Sequence, residues 1–336
     1  MKAKKFKLQQ NIIILFAMLV LVVIFCAFNP NFIDKYNILS MAQSLAPYAV
    51  MSLGVTFVIA TGGIDLSIGT VCIAAAVVSG KMFTTGMIPL WATIPVMVAI
   101  GTLFGFVNGL LIAKLKIPAF IATLGTMMFS RGLSALIVAD PNIFFPSNTW
   151  YNRTFSNANG IPTGIIWVLG FMLICMYLMY KNKVGRYTLA IGSNEEATRL
   201  SGINTERYKI LAYTIGGLGA GVAAIFWSAA FPTVAAATGN GMELDAIAGV
   251  YIGGTSAAGG AASVSGSVIG AALLVVIRNG LNMVLAKFNL NLNSTYVTYV
   301  LTGIIVVAAV LMDVIKTKNQ NKVKVEKATK VAKKES

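Results

Sequence analysis

The residues with the clearest chemical potential are three acidic side chains within otherwise apolar sequence. Asp65 follows the turn-like segment Thr61–Gly63, and Glu243 and Asp245 follow a second glycine-containing segment at 238–241. A carboxylate inside a bilayer costs roughly 2.5–3.5 kcal/mol on insertion scales, so each must cap a helix, find a partner or face a polar path. Capping is one interpretation, because an aspartate before a helical run accepts backbone amide hydrogens. Lining a substrate path is the other, and the two are compatible.

Catalytic chemistry has little support in the sequence. It contains no histidine, which removes the commonest general base and metal ligand. The three cysteines lie in apolar runs without metal-ligand spacing, so neither a metal site nor a disulfide is predicted. Gly253–Gly260 lacks the Lys-Ser/Thr pair of a phosphate-binding loop, and no such motif occurs elsewhere in the chain. We therefore expect a tight turn there, no cofactor, and no ATP hydrolysis by this chain alone.

Two cations, Arg131 and Arg278, also lie inside apolar segments. We expect them to pair within the helix bundle or to extend toward the membrane surface; contact with a substrate is the alternative.

The composition predicts the elements that must position these residues. Of the 336 residues 57% are hydrophobic and 11% charged, whereas a soluble domain has about 25% charged residues. Continuous apolar runs long enough to cross a bilayer favour helices over a barrel. We predict an all-α integral membrane protein with about ten transmembrane helices, some short or broken, in a domain spanning 12–315. The apolar segments are 12–28, 40–60, 66–80, 90–113, 119–139, 163–180, 209–230, 243–257, 263–286 and 296–315.

The basic residues predict the orientation. The net charge of +15 could suggest nucleic acid, but lysine and arginine lie mainly in pieces on the same side as the N-terminus. Twenty of the 26 lie there, and four lie on the other side. By the positive-inside rule, the N-terminus (1–11), the loop 181–209 and the basic tail (316–336) are cytoplasmic. The tail, rich in lysine, is expected to be solvated or to contact anionic membrane lipids.

A weak internal repeat relates the two short apolar segments. Each follows a glycine-rich break that contains an acid, and each is later followed by an Asn-Gly-Leu triplet, at Asn108–Leu110 and Asn279–Leu281. Five segments separate the paired elements, which predicts inverted halves; chance similarity is the alternative. Short segments at matching places in inverted halves point to a transport path. This topology puts Glu243 near the outer face, opposite Asp65, which makes proton coupling the weaker mechanism.

The loop 181–209 is the longest polar interval between apolar segments and contains a short helix signature. Ser193 or Asn194 can cap it, acids occupy the first turn, a base lies near its end, and Gly202 stops it. It is either an ordinary surface connector or a docking element. Its candidate docking residues are Asn194, Glu195, Glu196, Arg199 and Gly202.

Four stretches together resemble the permease subunits of bacterial sugar ABC importers, specifically the ribose-type branch. They are 62–69 (GGIDLSIG), 118–126 (PAFIATLGT), 192–204 (GSNEEATRLSGIN), and 243–248 (ELDAIA) with 253–256 (GGTS). The resemblance covers about residues 35–315. Branched-chain amino-acid permeases are more distant relatives. The resemblance to ribose-type permeases implies a multi-pass subunit of the bacterial inner membrane that imports a ribose-like sugar by alternating access.

The resemblance also implies partners. These are a cytoplasmic ATPase that binds the ATP, an extracytoplasmic sugar-binding protein, and a second permease copy or paralogue. Residues 192–204 match the family's coupling helix. The candidate translocation-path residues are Thr61, Gly62, Gly63, Asp65, Ser67, Glu243 and Asp245. An ion-coupled secondary transporter and a passive channel for small polar solutes are the alternatives, since both also predict polar breaks in the membrane.

Overall fold

The computed structural model describes residues 2–137, 142–239 and 241–288, together with eight residues between 296 and 311. Seven of the described helices are long and apolar enough to cross a membrane, which confirms the predicted helical membrane protein. In chain order the helices are α1 Lys2–Phe28, α2 Lys35–Ala60, α3 Ile68–Thr84, α4 Thr93–Ala113, α5 Ala119–Ile137, α6 Trp150–Phe155, α7 Thr163–Tyr180, α8 Lys183–Ser193, α9 Glu195–Leu200, α10 Thr205–Ala230, α11 Met242–Ile252 and α12 Val264–Lys287.

The two predicted short segments are indeed shorter helices: α3 has 17 residues and α11 has 11. The predicted tenth segment, 296–315, lies mostly outside the described residues, although those described between 296 and 311 are helical. The basic tail lies entirely outside them. Helix α1 begins at Lys2, and its span-length apolar part is Asn11–Phe28; the cytoplasmic placement of 1–11 stays a prediction.

Helix α10 lies at the centre of the bundle, between α2 and α4. Glycines on both of its faces allow this, because small residues let helix backbones approach closely. A Cβ added to Gly105 or Gly101 on α4 would collide with the backbone of α10, at Tyr213 and Gly217 respectively. On the α2 side, a Cβ at Gly54 would lie 3.0 Å from the Gly216 carbonyl oxygen. Larger side chains at these positions would force the central helices apart.

The predicted inverted halves agree with the helix lengths and directions. Helices α2 and α10 each have 26 residues, and each is followed by a short helix and then a long one. They are antiparallel, because Gly216 approaches Val58 whereas Gly219, further along α10, approaches Val50. Inversion of the series α2–α3–α4 relative to α10–α11–α12 requires these opposite directions, and it remains a prediction.

The segment after α10 returns into the bundle before α11 begins. Strand β2 (Thr233–Ala235) pairs antiparallel with β1 (Asn142–Phe144), and a 3₁₀ turn at Ala236–Gly239 follows. A Cβ at Gly239 would lie 3.0 Å from the Gly69 carbonyl oxygen, in the first turn of α3. Helix α11 therefore starts beside the start of α3, and its 11 residues extend only about 16 Å at 1.5 Å per residue.

Candidate translocation path and docking surface

Helix α9 has the boundaries and caps that the sequence predicts. Its N-cap is Asn194, whose side-chain oxygen accepts the Ala197 amide hydrogen at 2.9 Å. Glu195 and Glu196 occupy the first turn, where carboxylates oppose the positive end of the helix dipole. Gly202, at φ +81°, ends the helix in a Schellman arrangement, in which the amides of Gly202 and the following residue donate back to carbonyls of the last turn.

The exposed surface of α9 combines charge with one apolar side chain. Glu196 and Arg199 pair at 2.7 Å across one turn and are more than half exposed, whereas Glu195 pairs with Lys209 of α10 at 2.6 Å. Leu200 is 80% exposed. An open cleft of about 630 Å³ lies beside the helix, and Lys116 also lines it. Such a cleft can receive part of another protein.

The sequence did not single out Lys116, which lies just before α5. It pairs with Glu206 at 2.9 Å and so connects the α4–α5 loop to the start of α10. It became a candidate only through folding, since 90 residues separate the two partners.

Asp65 is the last acceptor in a buried chain of hydrogen bonds. Its Oδ1 accepts from the Ser67 backbone amide at 2.8 Å and from the Ser67 hydroxyl at 2.6 Å. Asn108 of α4 donates to that hydroxyl oxygen at 3.0 Å, and Thr126 of α5 donates to the Asn108 side-chain oxygen at 2.5 Å. All four residues are buried. The N-cap of α3 is Ser67, so Asp65 lies two residues before the cap and is not the N-cap itself.

Glu243 lies in the interior, and its predicted placement near the outer face, opposite Asp65, is wrong. A Cβ added to Gly69, in the first turn of α3, would lie 2.6 Å from Glu243 Oε2. The reason is the return of residues 231–239 into the bundle. Within the described part of the chain, Oε2 has no hydrogen-bond partner, and neither does Nε of Arg131 on α5. Glu243 Oε1 accepts from the Gly241 amide at 3.3 Å.

Asp245 and Arg278 form a pair inside the bundle, as expected for the arginine. The Arg278 Nη2 atom lies 2.5 Å from Asp245 Oδ2, and Nη1 donates to the Tyr48 hydroxyl at 2.8 Å. The guanidinium carbon also lies 5.4 Å from the centre of the Tyr48 ring. These contacts join α11, α12 and α2, and they leave only a small residual cavity between the three helices.

The predicted path residues thus separate into four groups. Asp65 and Ser67 belong to the hydrogen-bonded chain, Glu243 lies beside the start of α3, and Asp245 pairs with Arg278. The turn Thr61–Gly63 is the fourth group: it follows α2 and lies beside the turn at 258–260 and the end of α8. Asn108, Thr126 and Tyr48 were missed as site residues, although a buried asparagine in an apolar helix is itself a signal of polar contacts.

Comparison with known proteins assigns the chain to a family. A family model described as "Branched-chain amino acid transport system / permease component" matches residues 37–310. The chain belongs to this permease family. The match includes both short helices, the Asp65 chain of hydrogen bonds, the Asp245–Arg278 pair and α9.

Curated relatives cover nearly the whole chain and carry sugar names. The ribose import permease protein of Escherichia coli K12 is 36% identical over 89% of this chain and 92% of its own. That of Bacillus subtilis 168 is 37% identical over 88% and 89%. The L-arabinose transport system permease protein of Escherichia coli K12 is 33% identical over 92% of each. The similarity to ribose-type permeases indicated by the sequence motifs is therefore confirmed.

Proposed function

We propose that this chain is the membrane permease subunit of an ATP-driven, binding-protein-dependent importer of a monosaccharide. The family description names amino acids, but the relatives at 33–37% identity over about nine-tenths of the chain are named for ribose and arabinose. A ribose-like pentose is therefore the substrate class we assign. An ion-coupled transporter or a passive channel would need no ATPase, and importer permeases of this kind work with one.

The observation that carries the proposal is the exposed helix α9 with its neighbouring cleft. An ATPase subunit docked there would meet Glu195, Glu196 and Arg199 and the exposed Leu200, while Asn194 and Gly202 fix the two ends of the helix. The mixture of charges with one apolar anchor is suited to a protein partner. Lys116, which also lines the cleft, would contribute a further charge to the interface.

The buried polar residues suit a neutral polyol. The chain of hydrogen bonds that ends on Asp65 contains hydroxyl and amide groups that can exchange partners with sugar hydroxyls as the bundle changes state. Thr61, Gly62 and Gly63 precede it and allow the break between α2 and α3. Ser67 belongs to that chain, and Glu243 and Asp245 belong to the matching break of the second half. Weak contacts of this kind suit passage, whereas a tight site would retain the sugar.

Orientation and partners complete the proposal. With the basic loop and both termini in the cytoplasm, α9 faces the ATPase, and the β1–β2 end of the bundle faces the sugar-binding protein. A second permease copy or a paralogue completes the membrane unit in the bacterial inner membrane. ATP belongs to the ATPase, and sugar selection belongs mainly to the binding protein.

The test is reconstitution in proteoliposomes with the ATPase and the sugar-binding protein, using radiolabelled ribose, arabinose, xylose and galactose. We expect uptake that requires ATP and both partners. Replacing Glu195 with Lys breaks its pair with Lys209 and removes the net negative charge of the first turn, so pull-down of the ATPase and uptake should both fall.

Gly125→Ala is the matched control, because nothing lies within 4 Å of the added Cβ. It should leave uptake unchanged. Sugar uptake that persists without any ATPase would refute the proposal.

A further inference from the structure

Three stretches of backbone meet at the end of α8, just before α9 begins, and we call their meeting point the glycine junction. It consists of Ala60–Gly63 at the end of α2, Ala258–Gly260 in the turn after α11, and Gly192–Ser193 at the end of α8. The Gly260 amide donates to the Ala60 carbonyl oxygen at 3.0 Å. A carbonyl in the last turn of a helix has no partner within its own helix, so the second half of the chain satisfies a helix end of the first half.

The three backbones have no room for side chains between them. A Cβ added to Gly192 would collide with the Ala60 carbonyl oxygen and the Gly260 amide nitrogen. A Cβ on Gly259 would lie 2.7 Å from the Gly62 amide nitrogen and 3.0 Å from the Gly192 Cα. Close-packed atoms of this kind transmit displacement, because no flexible side chain lies between them to absorb it.

The turns themselves depend on glycine. Gly62, Gly259 and Gly260 have φ angles of +80°, +83° and +74°, a region that other residues enter only with strain. The turn at Gly62 leads through Asp65 to the start of α3, and the turn at Gly259 follows α11. The α2–α3 break and the turn after α11 are therefore attached to one point.

We propose that Gly192 is a positioning residue that transmits movement of α9 to the α2–α3 break and to the turn after α11 at once. This inference rests on the proposed function, in which α9 receives the ATPase. Helix α8 ends at Ser193, and the single residue Asn194 joins it to α9, so a displacement of α9 moves the end of α8. Since Gly192 touches Ala60 and Gly260 together, that displacement reaches the α2–α3 break and the turn after α11 in the same step.

The first test is Gly192→Ala in the reconstituted importer, with ATP hydrolysis and sugar uptake measured on the same vesicles. The α9 surface is unchanged, so we expect ATPase pull-down to be retained. The number of sugars imported per ATP should fall by about tenfold, within the roughly 5–150-fold range of coupling between linked sites. A purely structural role would instead lower both rates together and leave that ratio unchanged.

Gly185→Ala is the matched control. Gly185 lies in the same helix, and its added Cβ would also collide with backbone, but with that of Met179 at the α7–α8 turn. It should lower the yield of folded protein without changing the number of sugars per ATP. An unchanged ratio for Gly192→Ala, with a working wild-type importer, would overturn this inference alone. A wild type without ATP-dependent uptake would overturn the proposed function instead.

A second measurement does not depend on the variant folding. Hydrogen–deuterium exchange on the wild-type complex, with and without nucleotide, reports amides at 60–66 and at 253–262. We expect the exchange of both segments to change together on nucleotide binding. A change in only one segment, or in neither while the exchange of 195–200 changes, would contradict transmission through the junction.

Discussion

The Asp245–Arg278 pair provides the sharpest test of how the second half is held together. Asp245 Oδ2 and Arg278 Nη2 lie 2.5 Å apart, and the side chain of Asp245 is only 10% exposed and that of Arg278 30%. Asp245→Asn would leave the Arg278 charge without its counter-charge, and breaking a buried pair in this way costs about 3–5 kcal/mol. At 1.4 kcal/mol for each factor of ten, the folded-to-unfolded ratio should fall roughly 10²–10⁴-fold.

A double-mutant cycle isolates the interaction energy of the Asp245–Arg278 pair from the effect of each single substitution. We would measure the free energy of unfolding by SDS titration in mixed micelles for Asp245→Asn, Arg278→Met and the double variant. Because an apolar or neutral replacement of a whole buried pair is often tolerated, the double variant should lose less than Asp245→Asn alone. The expected interaction energy is about 2–3 kcal/mol, at the upper end of measured couplings.

The exposed pair Glu196–Arg199 is the control for this cycle. Its atoms lie 2.7 Å apart, but its side chains are 69% and 66% exposed. Such a pair contributes at most about 1 kcal/mol. If the Asp245–Arg278 cycle gives an interaction energy no larger than that of the control, the buried pair is effectively solvated, and the reasoning from burial is refuted.

Three further predictions follow from local contacts. Asn194→Ala should cost about 0.5–2 kcal/mol of local stability through the lost cap, seen as faster amide exchange at 195–200. Asn108→Ala should lower the free energy of unfolding by about 1–3 kcal/mol, because the Ser67 and Thr126 hydroxyls each lose a partner, and SDS titration measures this. Gly105→Leu should prevent the approach of α4 to α10 and abolish the monodisperse peak in size-exclusion chromatography in detergent, whereas Gly125→Ala should retain it.

The parts that the sequence predicted well depend on neighbouring residues. Helix α9 has the predicted cap at Asn194, acidic first turn and stop at Gly202, because capping and helix termination involve residues three or four positions apart. The long spans followed in the same way from continuous apolar runs, whose length alone is enough to identify them.

The contacts that the sequence did not predict join residues far apart in the chain, and one of them depends on a segment that folds back into the helix bundle. Residues 231–239 return into the bundle and bring Glu243 next to Gly69, and no local sequence pattern indicates that they enter the bundle instead of remaining at its surface. The partner of Asp245 lies 33 residues away on another helix, and Tyr48 is more distant still. A sequence shows that a buried acid needs a partner, but packing decides which residue provides it.

Two contacts with the first half of the chain restrict how α11 can move. Its first turn lies against Gly69 of α3, and the turn after its last residue belongs to the glycine junction with Ala60 and Gly192. Between these ends Asp245 is held to α12 through Arg278. Contacts at both ends, together with the ion pair, leave this 11-residue helix little freedom to bend. Displacement at the junction must therefore move α11 as a rigid body or break the ion pair, which is the kind of two-state contact that switching transitions require.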